Sequence, residues 1–379
     1  MPVKKALAFA REAGGVAAVS PVCKELVRQG WDVLVFSKDN GRDAFARKGI
    51  SCMDLPIFDG MSLEGFLKGK WGVLPGLVLT SAASLPTIDM TEKLLWRWAS
   101  SRAIPSVAIL DQWQNYALRF SGPGADKKLE YMPDTICVMD ELARREMLYE
   151  GLPDDRLAVT GQPAFDGIRK EHDAAVSQRR EIRKRAGISD KTTVVMFVAE
   201  ALKKDFGTSL GYDEISTVQF AGKILDELAA REKTDITFMI RLHPENKKGE
   251  FDRFAKKWSA IKTVVAGKEL AAREAIAASD LVVGMTSVML LESIISGVPT
   301  VSLQINSRTP SHCVATKANA IPFITTEAAG KSAISSVLCD VAFRKRYLDA
   351  QKSFNIRENA TDGCVAVLNK IISGERLRS

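Results

Sequence analysis

Short apolar runs separated by longer stretches of helical period recur along the whole of this chain. In the first half the runs are Ala6–Ala10, Asp32–Phe36, Gly76–Thr80, Ser106–Leu110, Thr135–Val138 and Leu157–Val159. Helical patterns lie between them over Val16–Gln29, Asp89–Ser101 and Asp140–Glu150. Unbroken apolar runs suit strands buried on both faces, and interleaved helices supply the crossovers that parallel pairing needs. The pattern predicts βαβ units in a doubly wound parallel sheet.

Residues 171–190 change character to a charged helical stretch without a strand, which sets a linker after an N-terminal domain of residues 1–170. A second series fills residues 191–352, with strands near Thr193–Ala199, Asp235–Leu242, Lys262–Val265, Asp280–Val283 and Thr300–Leu303. Its helices fall near Glu214–Arg231, Leu270–Ala278 and Ser287–Ser296, and Val341–Leu348 and Thr361–Ile372 read as helices after the last strand. The expected fold class is α/β, with two Rossmann-like doubly wound domains facing a cleft. Ligands of open α/β sheets bind at the carboxyl-end loops that would line it. Asn40-Gly41 and Gly122-Pro123-Gly124 read as loops.

Composition narrows the function. The 379 residues suffice for two domains, and 53 Lys+Arg against 46 Asp+Glu leave a net charge of +7. That excess suits phosphorylated ligands and falls short of a dedicated nucleic-acid binder. Six cysteines without a CxxC pair point to a reduced, cytoplasmic protein, and three histidines outside any HExxH pattern point away from a zinc hydrolase. The apolar run Ala6–Ala10 is too short for a secretory core, and the longest apolar stretch, Val73–Ala83, is broken by Pro75 and Gly76. The basic cluster Arg179-Arg180 and Arg183-Lys184-Arg185 reads as a solvated helix face, or else as a contact with the inner face of an anionic membrane.

The chemistry-bearing residues concentrate where strands end. Gly284 closes an apolar strand, and Thr286 or Ser287 can cap the helix that follows, offering N–H groups and hydroxyls to a phosphate. Glu292, further along that helix, either accepts ribose hydroxyls or is merely solvated. Arg241 and His243 alternate with apolar residues at a strand end that Pro244 stops; they suit a diphosphate, the alternative being a histidine satisfied at a turn. In the first half, the loop Arg11-Glu12-Ala13-Gly14-Gly15 follows a strand, and its glycines would let the backbone approach an acceptor. Asp111 ends another strand and is either a general base or a helix cap, with Trp113 and Tyr116 available to stack on a sugar and Glu12 as a second base candidate.

Three of these segments carry a family resemblance. Thr160-Gly161-Gln162-Pro163-Ala164-Phe165-Asp166 resembles the Gly-Asn/Gln-Pro linker motif of bacterial capsule and teichoic-acid transferases, and Arg241-Leu242-His243-Pro244 resembles their Arg-x-His-Pro. Ser279-Asp280 through Glu292, with Gly297-x-Pro299, resembles their nucleotide-binding strand–helix unit. The family is the GT-B nucleotide-sugar glycosyltransferases, together with the related UDP-N-acetylglucosamine 2-epimerases. The resemblance implies that Thr286 and Ser287 bind the donor diphosphate, with Arg241, His243 and Gly284 beside it and Glu292 on the ribose. It also implies a catalytic base, Asp111 or Glu12, in the first domain and a final helix, within residues 353–379, crossing back to that domain. The implied activity is transfer of a sugar from a nucleotide-activated donor to a glycan, lipid-linked or protein acceptor in surface polysaccharide or glycoconjugate synthesis. The donor is a substrate, and no cofactor or metal is implied; the chain has no Asp-x-Asp motif. The alternatives are a nucleotide-sugar 2-epimerase and a non-catalytic nucleotide-sugar-binding subunit. Against the epimerase pattern, Ala199-Glu200-Ala201-Leu202 stands where a His-Arg-Arg-Glu run is expected, and Met285-Thr286-Ser287 replaces Ser-Gly-Gly.

Overall fold

A computed structural model describes residues 3–83, 85–124, 126, 128–243, 245–247, 249–267, 269–354 and 357–374. The chain forms two compact units, Met1–Asp166 with Ile356–Ser379, and Gly167–Asn355.

The first unit is built on a sheet of β1 (Lys5–Phe9), β2 (Asp32–Ser37), β3 (Met53–Asp54), β4 (Leu77–Ser81), β5 (Ser106–Ile109), β6 (Thr135–Val138) and β7 (Leu157–Val159). Its order is β3-β2-β1-β4-β5-β6-β7, and every pairing is parallel. The chain winds outward in one direction from β1 and then in the other from β4, so the crevice of this sheet opens at the carboxyl ends of those two strands. Side-chain alternation splits β1 between two cores. Ala6 and Ala8 pack with Val16, Val19 and Leu26 of the helix Ala13–Arg28, while Leu7 and Phe9 pack with Leu67, Leu95 and Trp98.

Asn40-Gly41, expected as a loop, instead opens the helix Asn40–Arg47. A Cβ on Gly41 would lie 2.4 Å from both the Arg11 carbonyl oxygen and Ser37 Oγ, so its glycine serves close packing rather than a turn. The short edge strand β3 carries no apolar run, and the sequence pattern gives no sign of it.

The last helix, Ala360–Ile372, packs in the first unit, where Cys364, Val365 and Leu368 join the core around the helix Ala13–Arg28. The segment 160–166 is its receptor. Asp166 accepts from the backbone N–H groups of Ala360 at 2.9 Å and Thr361 at 2.7 Å, capping the helix. Gly161 lies at φ +97°, where a Cβ would come within 2.7 Å of the Ala360 Cβ. Asp166→Ala is expected to lower the stability of this unit by about 1–2 kcal/mol, the size of a lost cap; unchanged denaturant unfolding would show that apolar packing alone docks the helix.

The second unit holds β8 (Thr193–Val198), β9 (Ile236–Arg241), β10 (Lys262–Ala266), β11 (Leu281–Gly284) and β12 (Thr300–Ser302), in the all-parallel order β10-β9-β8-β11-β12. Its winding reverses between β8 and β11. Residues 171–190, read from the sequence as a linker, belong to this unit and carry most of the helix Ile168–Ser177 and all of the helix Arg179–Arg185. The basic cluster there is tied to carboxylates. Arg179 and Arg183 hold the two oxygens of Asp280 at 2.7 and 2.8 Å, Arg180 pairs with Asp190 and Arg185 with Glu274. Arg183 is buried and also donates to the carbonyls of Ala278 and Thr192, so it is a structural clasp rather than part of a solvated face. No helix among the described residues is long and apolar enough to cross a membrane.

Candidate functional site

At the reversal of the second sheet, the loop after β11 meets the loop after β8. Gly284 ends β11 with a Cβ position 3.0 Å from Leu290 Cδ2, so the strand end and the following helix, Val288–Ile295, pack closely here and a larger residue would make the Leu290 side chain give way. Ser287 caps that helix, its Oγ accepting from the Met289 N–H at 3.2 Å. Beneath the loop, Ser302 Oγ donates to the Met285 carbonyl at 2.6 Å. Gln304 Nε2 bonds Ser302 at 2.9 Å and Ser311 at 2.8 Å, and its Oε1 accepts from the Tyr212 hydroxyl at 3.0 Å. Ser302, Gln304 and Tyr212 are buried and mutually satisfied, with Ser311 half-buried at the rim, which holds the loop in place.

The sequence reading missed Glu200. Its buried carboxylate accepts from the backbone N–H groups of Met285 at 3.1 Å and Thr286 at 2.8 Å, and from the Thr286 hydroxyl at 2.5 Å. Burial raises its pKa, while these hydrogen bonds oppose the rise. Thr286, expected to hold a phosphate, therefore has both of its donors engaged by a side-chain anion.

Arg241 ends β9 opposite Val198 of β8. Its Nε and Nη1 are sealed from solvent and have no hydrogen-bond partner among the described residues, and burial lowers its pKa against the opposing pull of Glu269. Two guanidinium nitrogens sealed from water without acceptors are costly, and an anion beside them would remove the cost. His243 is half-buried in a turn, where Asn246 Oδ1 accepts from its N–H at 2.7 Å and its Nδ1 accepts from the Glu245 N–H at 3.3 Å. Neutral His243 therefore carries its proton on Nε2. Pro244 lies outside the described residues. Glu292 is half-buried on the capped helix.

The first sheet carries charge at its own reversal. Asp111, just past β5, is buried with its Oδ1 3.3 Å from Arg119 Nη1, and burial raises its pKa more than Arg119 lowers it. Arg119 also donates to the carbonyls of Ala82, Ala83 and Gln114. Glu12 precedes the helix Ala13–Arg28; burial and then the charge of Asp111 raise its pKa. The structure thus brings the two candidate bases together. Around them are three residues the sequence reading did not name. Asp89 pairs with Lys38 at 2.5 Å, Glu92 accepts from Ser81 Oγ, and the Lys93 ammonium is buried with a lowered pKa, held partway up by Glu92 and Asp89. A hint was available in Asp89-Met90-Thr91-Glu92-Lys93, a dense charged run opening a helix whose remainder is largely apolar.

Gly14 and Gly15 open the helix Ala13–Arg28, but they serve packing. A Cβ on Gly14 would lie 2.4 Å from Asp111 Oδ2 and one on Gly15 2.4 Å from Ser81 Oγ, so both let the helix end close onto the strand ends. Trp113 and Tyr116 are buried rather than available to a sugar. Trp113 donates to Asp140 at 2.8 Å and stacks on Phe165, and the Tyr116 hydroxyl donates to Glu146 at 2.6 Å. Gln162, from the motif that docks the last helix, donates to the carbonyls of Leu110 and Asp111 and so braces the backbone under the candidate base. Among the described residues no group of three or more His, Cys, Asp or Glu is arranged to hold a metal ion.

Two parallel sheets of this order, each reversing its winding once, define a GT-B fold of two Rossmann-like domains. Solved structures of that fold match the chain over nearly its full length. UDP-GlcNAc 2-epimerase from Neisseria meningitidis bound to UDP-GlcNAc is 17% identical at a TM-score of 0.69, covering 97% of this chain and 100% of its own. A glycosyltransferase from Rickettsia africae is 11% identical at 0.64, covering 98% and 99%, and Acinetobacter baumannii MurG is 12% identical at 0.56, covering 97% and 100%. No family model and no curated protein sequence matches the chain.

Proposed function

We propose that the chain is a nucleotide-sugar enzyme that binds the diphosphate of a UDP-sugar on its second unit and epimerises that sugar at C2. The observation that carries the binding half is Arg241, whose buried Nε and Nη1 lack an acceptor among the described residues at the end of β9, one strand removed from the β11 whose following helix Ser287 caps. In this reading Arg241, His243 Nε2–H and Ser287 hold the diphosphate and Glu292 accepts the ribose hydroxyls. Asp111 and Glu12 exchange protons with the sugar, because burial raises the pKa of both carboxyls and so favours their working as acid and base. The likeness to UDP-GlcNAc 2-epimerases over the whole chain favours a reaction confined to the bound sugar.

A glycosyltransferase is the second reading. The run Ala199-Glu200-Ala201-Leu202, so unlike the epimerase pattern, and the likeness to the Rickettsia enzyme favour it. Incubation with UDP-GlcNAc alone in deuterated water separates the two. Inverting C2 requires its hydrogen to leave and return, so a 2-epimerase yields the epimer with deuterium at C2 and needs no acceptor. Unchanged UDP-GlcNAc that is consumed only when an acceptor glycan is added would establish the transferase.

Glu292→Ala is expected to weaken UDP by about 1.5–3 kcal/mol, as for hydrogen bonds to a charged group, and to leave inorganic diphosphate unaffected. Calorimetry with both ligands checks this. Equal effects on both would remove the ribose role.

A further inference from the structure

The best anion donors of the second unit's loop, the N–H groups of Met285 and Thr286 and the Thr286 hydroxyl, all point at one carboxylate of the chain itself. Glu200 reaches them from the end of β8, across the winding reversal where a ligand of this sheet would lie. We infer that Glu200 is a charge-selecting residue of the diphosphate site: it occupies the donors a phosphate would use, and a diphosphate displaces it only as Glu200 takes up a proton from solvent. This rests on the reading that the 285–287 loop binds a nucleoside diphosphate.

The surroundings fit that role. Glu200 is buried, and no cation is among its hydrogen-bond partners in the described residues, so nothing there neutralises it. Its titratable neighbours are the Tyr212 hydroxyl and the Cys313 thiol, both pushed up partly by its charge and both neutral near pH 7. The third side is Asn246, whose Nδ2 donates to the Glu200 carbonyl at 3.5 Å. A diphosphate brought against an ionised Glu200 would meet like charge in a dry setting, whereas a protonated Glu200 can donate to a phosphate oxygen. Arg241, on the neighbouring strand, is the cation that favours the incoming anion over the resident one.

Calorimetric titration of UDP into the full chain with excess chelator tests this at about pH 7 to 9, above the phosphate's own titration near ~6. The wild type is expected to bind more weakly as pH rises, by up to about tenfold per unit for one proton. Titrations in buffers of different ionisation heat are expected to show that proton entering the complex. Glu200→Gln keeps the shape and an acceptor oxygen; it is expected to bind UDP roughly tenfold tighter or more at the alkaline end and to lose both the pH dependence and the proton uptake. Uridine affinity should be the same in both proteins. Wild-type binding of UDP without proton uptake would overturn the inference and leave the diphosphate site standing, as would a Glu200→Gln protein that binds UDP no better. Failure of both proteins to bind UDP at any pH would overturn the site and the inference with it. The wild-type proton count decides the matter even where the variant does not fold.

Discussion

Asp111→Asn is expected to lower turnover by ~10²–10⁴, the usual contribution of a general acid or base, with UDP affinity unchanged. The unchanged affinity follows from the assignment of the diphosphate to the other unit. Asn fills the same space under Gly14, where Asp111 Oδ2 leaves no room for a larger group. Arg119 keeps its three carbonyl acceptors, at 3.0, 2.6 and 2.9 Å. Asn leaves the buried Arg119 guanidinium without its counter-charge, so a fall in melting temperature is expected, limited by the three carbonyls that still bond it; turnover is therefore measured below that temperature. The pH profile adds a second readout. A base with a raised pKa is protonated at higher pH than a free Asp, so activity should fall on the acid side at a pH above the ordinary value of 3.8. Full turnover in Asp111→Asn with loss in Glu12→Gln would move the role to Glu12; full turnover in both would remove the first unit's carboxylates from the chemistry. A large fall in melting temperature with proportionate loss of UDP binding would make Asp111 a structural partner of Arg119.

Strand positions and the carboxyl-edge location of Asp111, Glu12, Arg241, His243 and Ser287 were legible because apolar runs buried on both faces end abruptly, and the residue after the run lies at the edge. Which edge residues meet was not legible. Glu200 follows β8 and the loop it engages follows β11, some 85 residues on; only the sheet order makes them neighbours. The same holds for Asp89, Glu92 and Lys93, which reach Glu12 and Asp111 because β1, β4 and β5 pair side by side. Trp113 and Tyr116 were misplaced for the converse reason. Aromatic rings close in sequence to a candidate base look available until their partners, Asp140 and Glu146 on the next helix, are seen to hold them inside. The motif at 160–166 shows that one segment can do two jobs, since Asp166 caps the last helix while Gln162 braces the backbone at Asp111.

Arg241 offers the sharpest separation of function from stability. Its side chain is half-buried at the end of β9, and two of its nitrogens are sealed from solvent and find no acceptor among the described residues. A half-buried guanidinium with two sealed nitrogens that lack acceptors returns little to the fold, so an apolar group of similar length should serve the strand end at least as well. Arg241→Met is therefore expected to leave unfolding stability unchanged or raised. It is expected to weaken UDP and inorganic diphosphate alike by about 10²-fold or more, since two charge-assisted bonds at about 1.5–3 kcal/mol each would be lost. The equal effect on both ligands distinguishes it from Glu292→Ala, which should spare the inorganic one. Arg241→Lys should recover only part of the affinity, because an ammonium cannot reproduce the fork that a diphosphate accepts. Denaturant unfolding and calorimetry on the same preparations check the pair of expectations. A variant that loses stability and keeps UDP binding would mean that Arg241 supports the strand end and that the diphosphate is held elsewhere.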